Sequence, residues 1–162
     1  MGNRGKTFRL TLVGLGLSLL PALAAAESAC RDDQISLRGD WGEARFTVEV
    51  ADDADERAQG LMHRESMARS AGMLFIYDSA RTVRFWMKNT LIPLDMIFAD
   101  ETGTVRRIHR MAEPESEEMI FGGNNIQYIL EINGGMADAL KIDEGSEMRH
   151  PAISSAEAKW PC

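Results

Sequence analysis

The 162-residue sequence predicts a mostly β fold, a compact sandwich or barrel with short helices in a single domain. Three observations predict it. Short apolar runs recur along the chain, separated by turn-forming clusters such as Asp100–Gly103. Within Ala44–Val50, Phe46, Val48 and Val50 share one face and Arg45, Thr47 and Glu49 the other, which is the period of a half-buried strand. The long alternation of strand and helix patterns that a doubly wound sheet needs is absent.

The elements follow in order. After the first strand, Asp53 and Glu56 stand at capping-box spacing, and Ala54, Ala58, Leu61 and Met62 recur at helical spacing. Gly60 keeps that helix short. Gly72–Tyr77 is a continuous apolar run suited to a central strand, and Val83–Met87 and Leu94–Phe98 read as two more strands. A turn at Asp100–Gly103 leads into a strand over Thr104–Arg110, completing a hairpin. Glu113–Glu118 is an acidic loop, and Gly122-Gly123-Asn124-Asn125 reads as a turn. Gln127–Ile132 is a further strand, and Met136, Ala139 and Leu140 suggest a short helix before a turn at Asp143–Gly145. The organisation expected is a flexible segment over 27–43, the β-rich domain over 44–150 and a tail over 151–162.

Residues 1–26 read as a secretory signal peptide. Arg4, Lys6 and Arg9 precede an uncharged apolar run, Leu10–Leu20, which Pro21 breaks before the alanines at 24–26. Cleavage is expected after Ala26, with Ala24 the alternative. The run is shorter than the roughly 20 residues of a membrane span. A periplasmic or secreted protein follows, with no transmembrane segment once the signal is removed. Losing those three cations lowers the basic count from 18 to 15 against 25 acidic residues, so the net charge moves from -7 to -10. So acidic a chain is a poor candidate for nucleic acid. Cys30 and Cys162 are the two cysteines, one near each end of the exported chain. Either they close one bridge or they remain thiols on separate tails.

Val83–Phe98 packs Trp, Phe and Met beside Lys88, Asn89 and the single carboxylate Asp95. A charge in an apolar segment is costly unless it is paired or used. The stretch therefore marks a buried ion pair or a binding site. Arg64, Lys88 and Arg84 are the candidate cations for Asp95. Glu131, between Leu130 and Ile132, poses the same question. Arg64, Trp86, Lys88, Asn89 and Asp95 form the candidate ligand-binding set, in which the Trp86 indole supplies a flat apolar wall and one donor. For each carboxylate the alternative is a structural ion pair or a water-facing position, and for Trp86 it is core packing. Asp95 and Glu131 are also the candidate catalytic pair for a hydrolase.

Five blocks then occur in order: G-L-M-H-R (60–64), G-M-L-F (72–75), F-W-M-K-N-T (85–90), I-P-L-D-M-I-F (92–98) and L-E-I-N-G-G (130–135). Together they resemble the domain-of-unknown-function family 192 over about Phe46–Met148. The resemblance implies a jelly-roll-like β-barrel and an exported protein, and it brings no established activity.

Ten methionines raise a second possibility, because thioethers suit Cu(I). His63, Met73, His109 and Met111 are the candidate ligands for a copper carrier of the bacterial envelope. Methionine also serves as adaptable core filler, no tight histidine cluster exists, and no cofactor is favoured. Neither a G-x-S-x-G elbow, an H-E-x-x-H pair nor a phosphate loop is present. Three readings remain. The first is a non-enzymatic exported domain that binds a small molecule or an envelope protein through the Trp86–Asp95 region. The others are the Cu(I) carrier and the hydrolase.

Overall fold

The computed structural model describes residues 1–2 and 30–162. The signal-peptide reading falls on residues outside these. Seven strands follow in chain order: β1 (Gln34–Gly39), β2 (Gly42–Ala51), β3 (Ala71–Phe85), β4 (Leu94–Ala99), β5 (Val105–Ala112), β6 (Ile120–Asn133) and β7 (Glu147–Arg149). Helix α1 (Ala54–Gln59) lies between β2 and β3, and α2 (Met136–Leu140) between β6 and β7. All seven strands form one curled sheet in the order β5-β4-β6-β3-β2-β1-β7. Its two outer strands meet at one end, where the Val105 amide donates to Ser146 O at 2.8 Å and the Met148 amide to Gly103 O at 2.8 Å. The fold is thus the mostly β, barrel-like domain that the sequence predicts.

Curling gives the sheet two unlike faces. The inner face carries Phe46, Val48, Leu74, Ile97 and Leu130 and gathers Val105 and Met148 from the outer strands. The outer face carries Met73, Phe75, Met96, Phe98 and Ile129, covered by Leu61 and Met87 from the connecting segments. The alternation read in Ala44–Val50 holds, with Phe46 and Val48 buried. β2 and β3 run parallel, which requires a crossover, and α1 provides it. The capping box that starts α1 is complete: the Asp53 carboxylate accepts from the Glu56 amide at 2.8 Å, and the Glu56 carboxylate accepts from the Asp53 amide.

Four expectations are corrected. Gly72–Tyr77 and Val83–Met87 are not separate strands, because β3 runs through the polar residues between them. Gly122–Asn125 is not a turn but part of β6. The β3–β6 pairing shifts register between Ile76 and Arg84, and irregularity at Gly123 and Asn125, both with positive φ, absorbs the mismatch. Gly122 is required by packing, since a Cβ there would stand 2.4 Å from the Phe98 ring. The segment expected to be flexible contains β1, whose Ile35 and Leu37 are wholly buried. The expected loose tail packs as well: Trp160 lies under the Arg38 and Arg149 guanidinium groups at 4.5 and 5.4 Å. Cys30 and Cys162 are joined by a disulfide that spans 132 residues.

Candidate functional site

Helix α1 and the segment after it lean over the outer face of β3 and β6 and leave a cavity of about 180 Å³. Arg57, Leu61 and Met62 line it from the helix side. Phe75, Tyr77, Arg84 and Phe85 line it from β3, with Trp86 just beyond the strand. Gln59, Thr90 and Glu131 complete the polar lining. The geometry follows from local sequence. The capping box fixes where α1 begins, and Gly60 ends it at φ 49, its backbone close to the Phe75 ring. Phe75 and Phe85 then pack edge to face, 5.2 Å between centroids, under the same cavity.

Glu131 is the one carboxyl in this lining. It is only 4 % exposed, and no cation among the described residues pairs with it. Burial pushes its carboxyl up to about 8, with no charge or hydrogen bond to offset the desolvation. Its register partners are Met73 on β3 and Met96 on β4. A row therefore crosses the outer face from Glu49 through Met73, Glu131 and Met96 to His109. The Glu49 end is closed by Arg64, whose guanidinium holds the Glu49 carboxyl below its usual range. Burial, then Arg107, lower the proton affinity of His109 at the other end.

Asp95 is placed differently. It is fully buried, yet none of the expected cations reaches it. Its Oδ1 accepts from the Met111 amide at 2.8 Å and the Gly135 amide at 3.0 Å, and its Oδ2 from the Ala137 amide at 2.7 Å. Backbone N–H groups at the end of β5 and the start of α2 thus do what a cation was expected to do. Asp95 pairs in register with Ile132, and the next pair is Met96 with Glu131. Successive residues of a strand point to opposite faces. Asp95 and Glu131 therefore lie on opposite faces of the sheet and do not form the acid–base pair of a hydrolase.

The other candidates disperse in the same way. Trp86 lines the cavity and Asp95 does not. Arg64 lines a neighbouring groove with Glu49 and Met73. Lys88 sits 5.2 Å over the Trp86 ring and 3.7 Å from Glu117. Asn89 takes a left-handed conformation, and its carbonyl accepts from the His63 amide at 2.8 Å, tying the loop after β3 to the loop after α1. Of the copper candidates, Met73 and His109 share the cross-strand row but are three strand spacings apart, roughly 14 Å at the backbone. Met111 is exposed beside Gly134 and Gly135, and His63 lies in the loop after α1. The structure does not bring these four together.

Arg57, Phe75, Tyr77, Phe85 and Thr90 were not singled out from the sequence. The signal that could have found two of them is alternation: Phe75 and Tyr77 share a face of β3 with Met73, which pairs with Glu131. Around the cavity, cations lie on aromatic rings. Arg57 and Arg81 flank Tyr77 at 4.9 and 5.1 Å, and Arg84 stands 5.7 Å from the Phe121 centroid.

No curated protein matches the chain. It is similar to two solved structures. One is a Sinorhizobium meliloti protein described as a candidate transcription regulator, 38 % identical, covering 78 % of this chain and 99 % of its own, with a TM-score of 0.73. The other is a Novosphingobium aromaticivorans protein of unknown function, 33 % identical, covering 82 % of this chain and 99 % of its own, with a TM-score of 0.71. The profile of DUF192, a family described as "Uncharacterized ACR", matches residues 35–150, which include every strand from β2 to β7, both helices and the cavity. The chain is a member of the DUF192 family.

Proposed function

We propose that this protein is an exported domain that binds a small molecule in the cavity between α1 and the outer face of β3 and β6. The observation that carries this reading is Glu131, a buried carboxyl that no cation among the described residues pairs with and that opens onto a cavity walled by Phe75, Phe85 and Trp86. A buried polar group left unpaired costs stability, and a bound ligand would supply the missing partner. Trp86 remains 43 % exposed at the mouth, where an aromatic wall can meet an incoming molecule. Export is supported by the N-terminal sequence and by the Cys30–Cys162 bridge, a bond suited to an oxidising compartment. The excess of acidic residues in this chain disfavours nucleic acid as its partner. The test is thermal stabilisation across a panel of small metabolites, followed by affinity measurements on Trp86→Ala and Glu131→Ala. Both substitutions should weaken a ligand found in this way, and a ligand indifferent to both would refute the site.

A Cu(I) carrier is the second reading, with a redrawn ligand set. Met73 and Met96 flank Glu131 on one face, and soft thioethers beside a carboxyl could hold a monovalent soft ion. Titration with Cu(I) under reducing conditions tests it. Stoichiometric uptake that disappears when Met73 and Met96 are both changed to Leu is the expected outcome of that reading.

A further inference from the structure

We propose that His150 is an acid-sensitive latch: its neutral ring clasps the chain after β7 to the chain before β1, and a proton taken up by the ring releases residues 151–161 as a loop that the Cys30–Cys162 bridge still holds at its far end. The cavity beside α1 plays no part in it.

Three observations carry it. The first is that both ring nitrogens are used. Nδ1 accepts the Ala152 N–H at 3.1 Å, and the Nε2–H donates to Asp32 O at 2.9 Å, tying together positions 118 residues apart. An amide N–H only donates and a carbonyl only accepts, so these partners fix one neutral tautomer. The imidazolium carries a hydrogen on both nitrogens. A proton arriving at Nδ1 would point at the Ala152 N–H, and that bond must break.

The second observation is the surroundings of the ring. His150 is 3 % exposed, and a charged ring out of water is costly without a counter-charge beside it. Burial pushes its proton affinity below the usual histidine range, and the carbonyl and carboxylate of Asp32 offset this only in part. The other charged groups nearby are engaged elsewhere. In the segment before β1, Arg31 and Asp33 pair with each other. On β7, the Arg149 guanidinium stands over Trp160. From β6, Tyr128 brings a neutral hydroxyl, which donates to Ala152 O at 3.1 Å. Glu157 and Lys159, in the segment itself, do not act on the ring.

The third observation is what the ring holds. Residues 151–162 form no helix or strand. They are pinned at the head by the Ala152 bond to His150 and at the end by the disulfide. Between these points, the Lys159 amide donates to Thr102 O at 2.9 Å, and Ile153 and Trp160 are buried. Opening the head while the end stays bonded makes a closed loop, so its return remains local. The latched state binds fewer protons than the released state, in which the ring regains an ordinary affinity. The latch is therefore closed at neutral pH and is lost as pH falls below about 6.5. Ile153 and Trp160 are covered near neutrality and uncovered in acid.

The experiment follows the oxidised protein by NMR from pH 7.5 to pH 4. It reads the His150 ring, the Ala152 amide, the Trp160 indole and the relaxation of the backbone over 151–161. The Ala152 and Trp160 signals should move together with the ring, at a midpoint below about 6.5, and the segment should gain fast motion while the amides of β3 and β6 keep their positions. In His150→Gln, which takes up no proton, the step should be absent. A step of equal size in His150→Gln overturns the assignment to this ring. So does a midpoint for Ala152 and Trp160 that differs from that of the ring in the parent protein, a comparison that does not depend on the variant folding. A segment that stays rigid at pH 4, whether or not the ring has titrated, overturns the latch itself.

Discussion

Asp95 and Glu131 are one register step apart on neighbouring strands, both carboxyls are out of bulk water, and their surroundings are opposite. Asp95, on the inner face, accepts three backbone amides from two separate segments. Glu131, on the outer face, has a cavity in front of it and no offsetting group. The difference separates structure from site. A buried carboxyl whose acceptor capacity is filled by the backbone is a fastener. One left without a partner beside a cavity has capacity for something from outside.

The largest expected effect comes from removing the fastener. Asp95→Ala orphans three amides and should cost about 3–5 kcal/mol, read from denaturant unfolding. A cost under about 1 kcal/mol would mean that those amides find water without strain, and the comparison would collapse. The second effect has a sign that depends on pH. In the folded chain Glu131 titrates at about 8, above the 4.5 of an ordinary glutamate. The native state thus keeps a proton that the unfolded state has released. Its contribution is full below pH 4.5 and drains away as pH climbs to about 8, at about 1.4 kcal/mol per pH unit. Glu131→Gln has no such titration, so it should match the parent near pH 4 and exceed it by about 3 kcal/mol at pH 7. Parallel stability curves for the two proteins across this range would show that Glu131 is ionised and solvated.

Smaller effects sharpen the contrast. Gly135 donates to Asp95 from a left-handed backbone, φ 83, so Gly135→Ala should cost about 1 kcal/mol in melting experiments through strain at that donor. Arg64 serves Glu49 at the surface and not Asp95, and Arg64→Ala should change stability by well under 1 kcal/mol. A loss comparable to that of Asp95→Ala would restore Arg64 as its partner.

Much of this fold was legible because it obeys local rules. The alternation of Phe46 and Val48, the Asp53–Glu56 box and the apolar run of β4 each declare their element directly. The single long β3 and β6 were not legible, since Asp78–Thr82 and Gly122–Asn125 have the composition of turns and become strand only by bulging against each other. β1 was missed because its apolar alternation amounts to Ile35 and Leu37 alone. The site was half legible. Trp86 and the two carboxyls stood out as polar or aromatic intrusions in apolar runs. Their faces depend on register, and Asp95's partners are backbone amides, which leave no trace in residue type. Arg57 and Tyr77 reach the cavity only because α1 crosses over it.

The bond between Cys30 and Cys162 also has a mechanical meaning. A pull applied at those two positions travels through the sulfur–sulfur link and bypasses every strand between them. While oxidised, the barrel carries no tension along its own backbone. Once reduced, the same pull would load the ladder that joins β1 to β7, three residue pairs long, and peel it from one end. For a pull at these two positions, redox state therefore decides whether force reaches the hydrogen bonds of this domain.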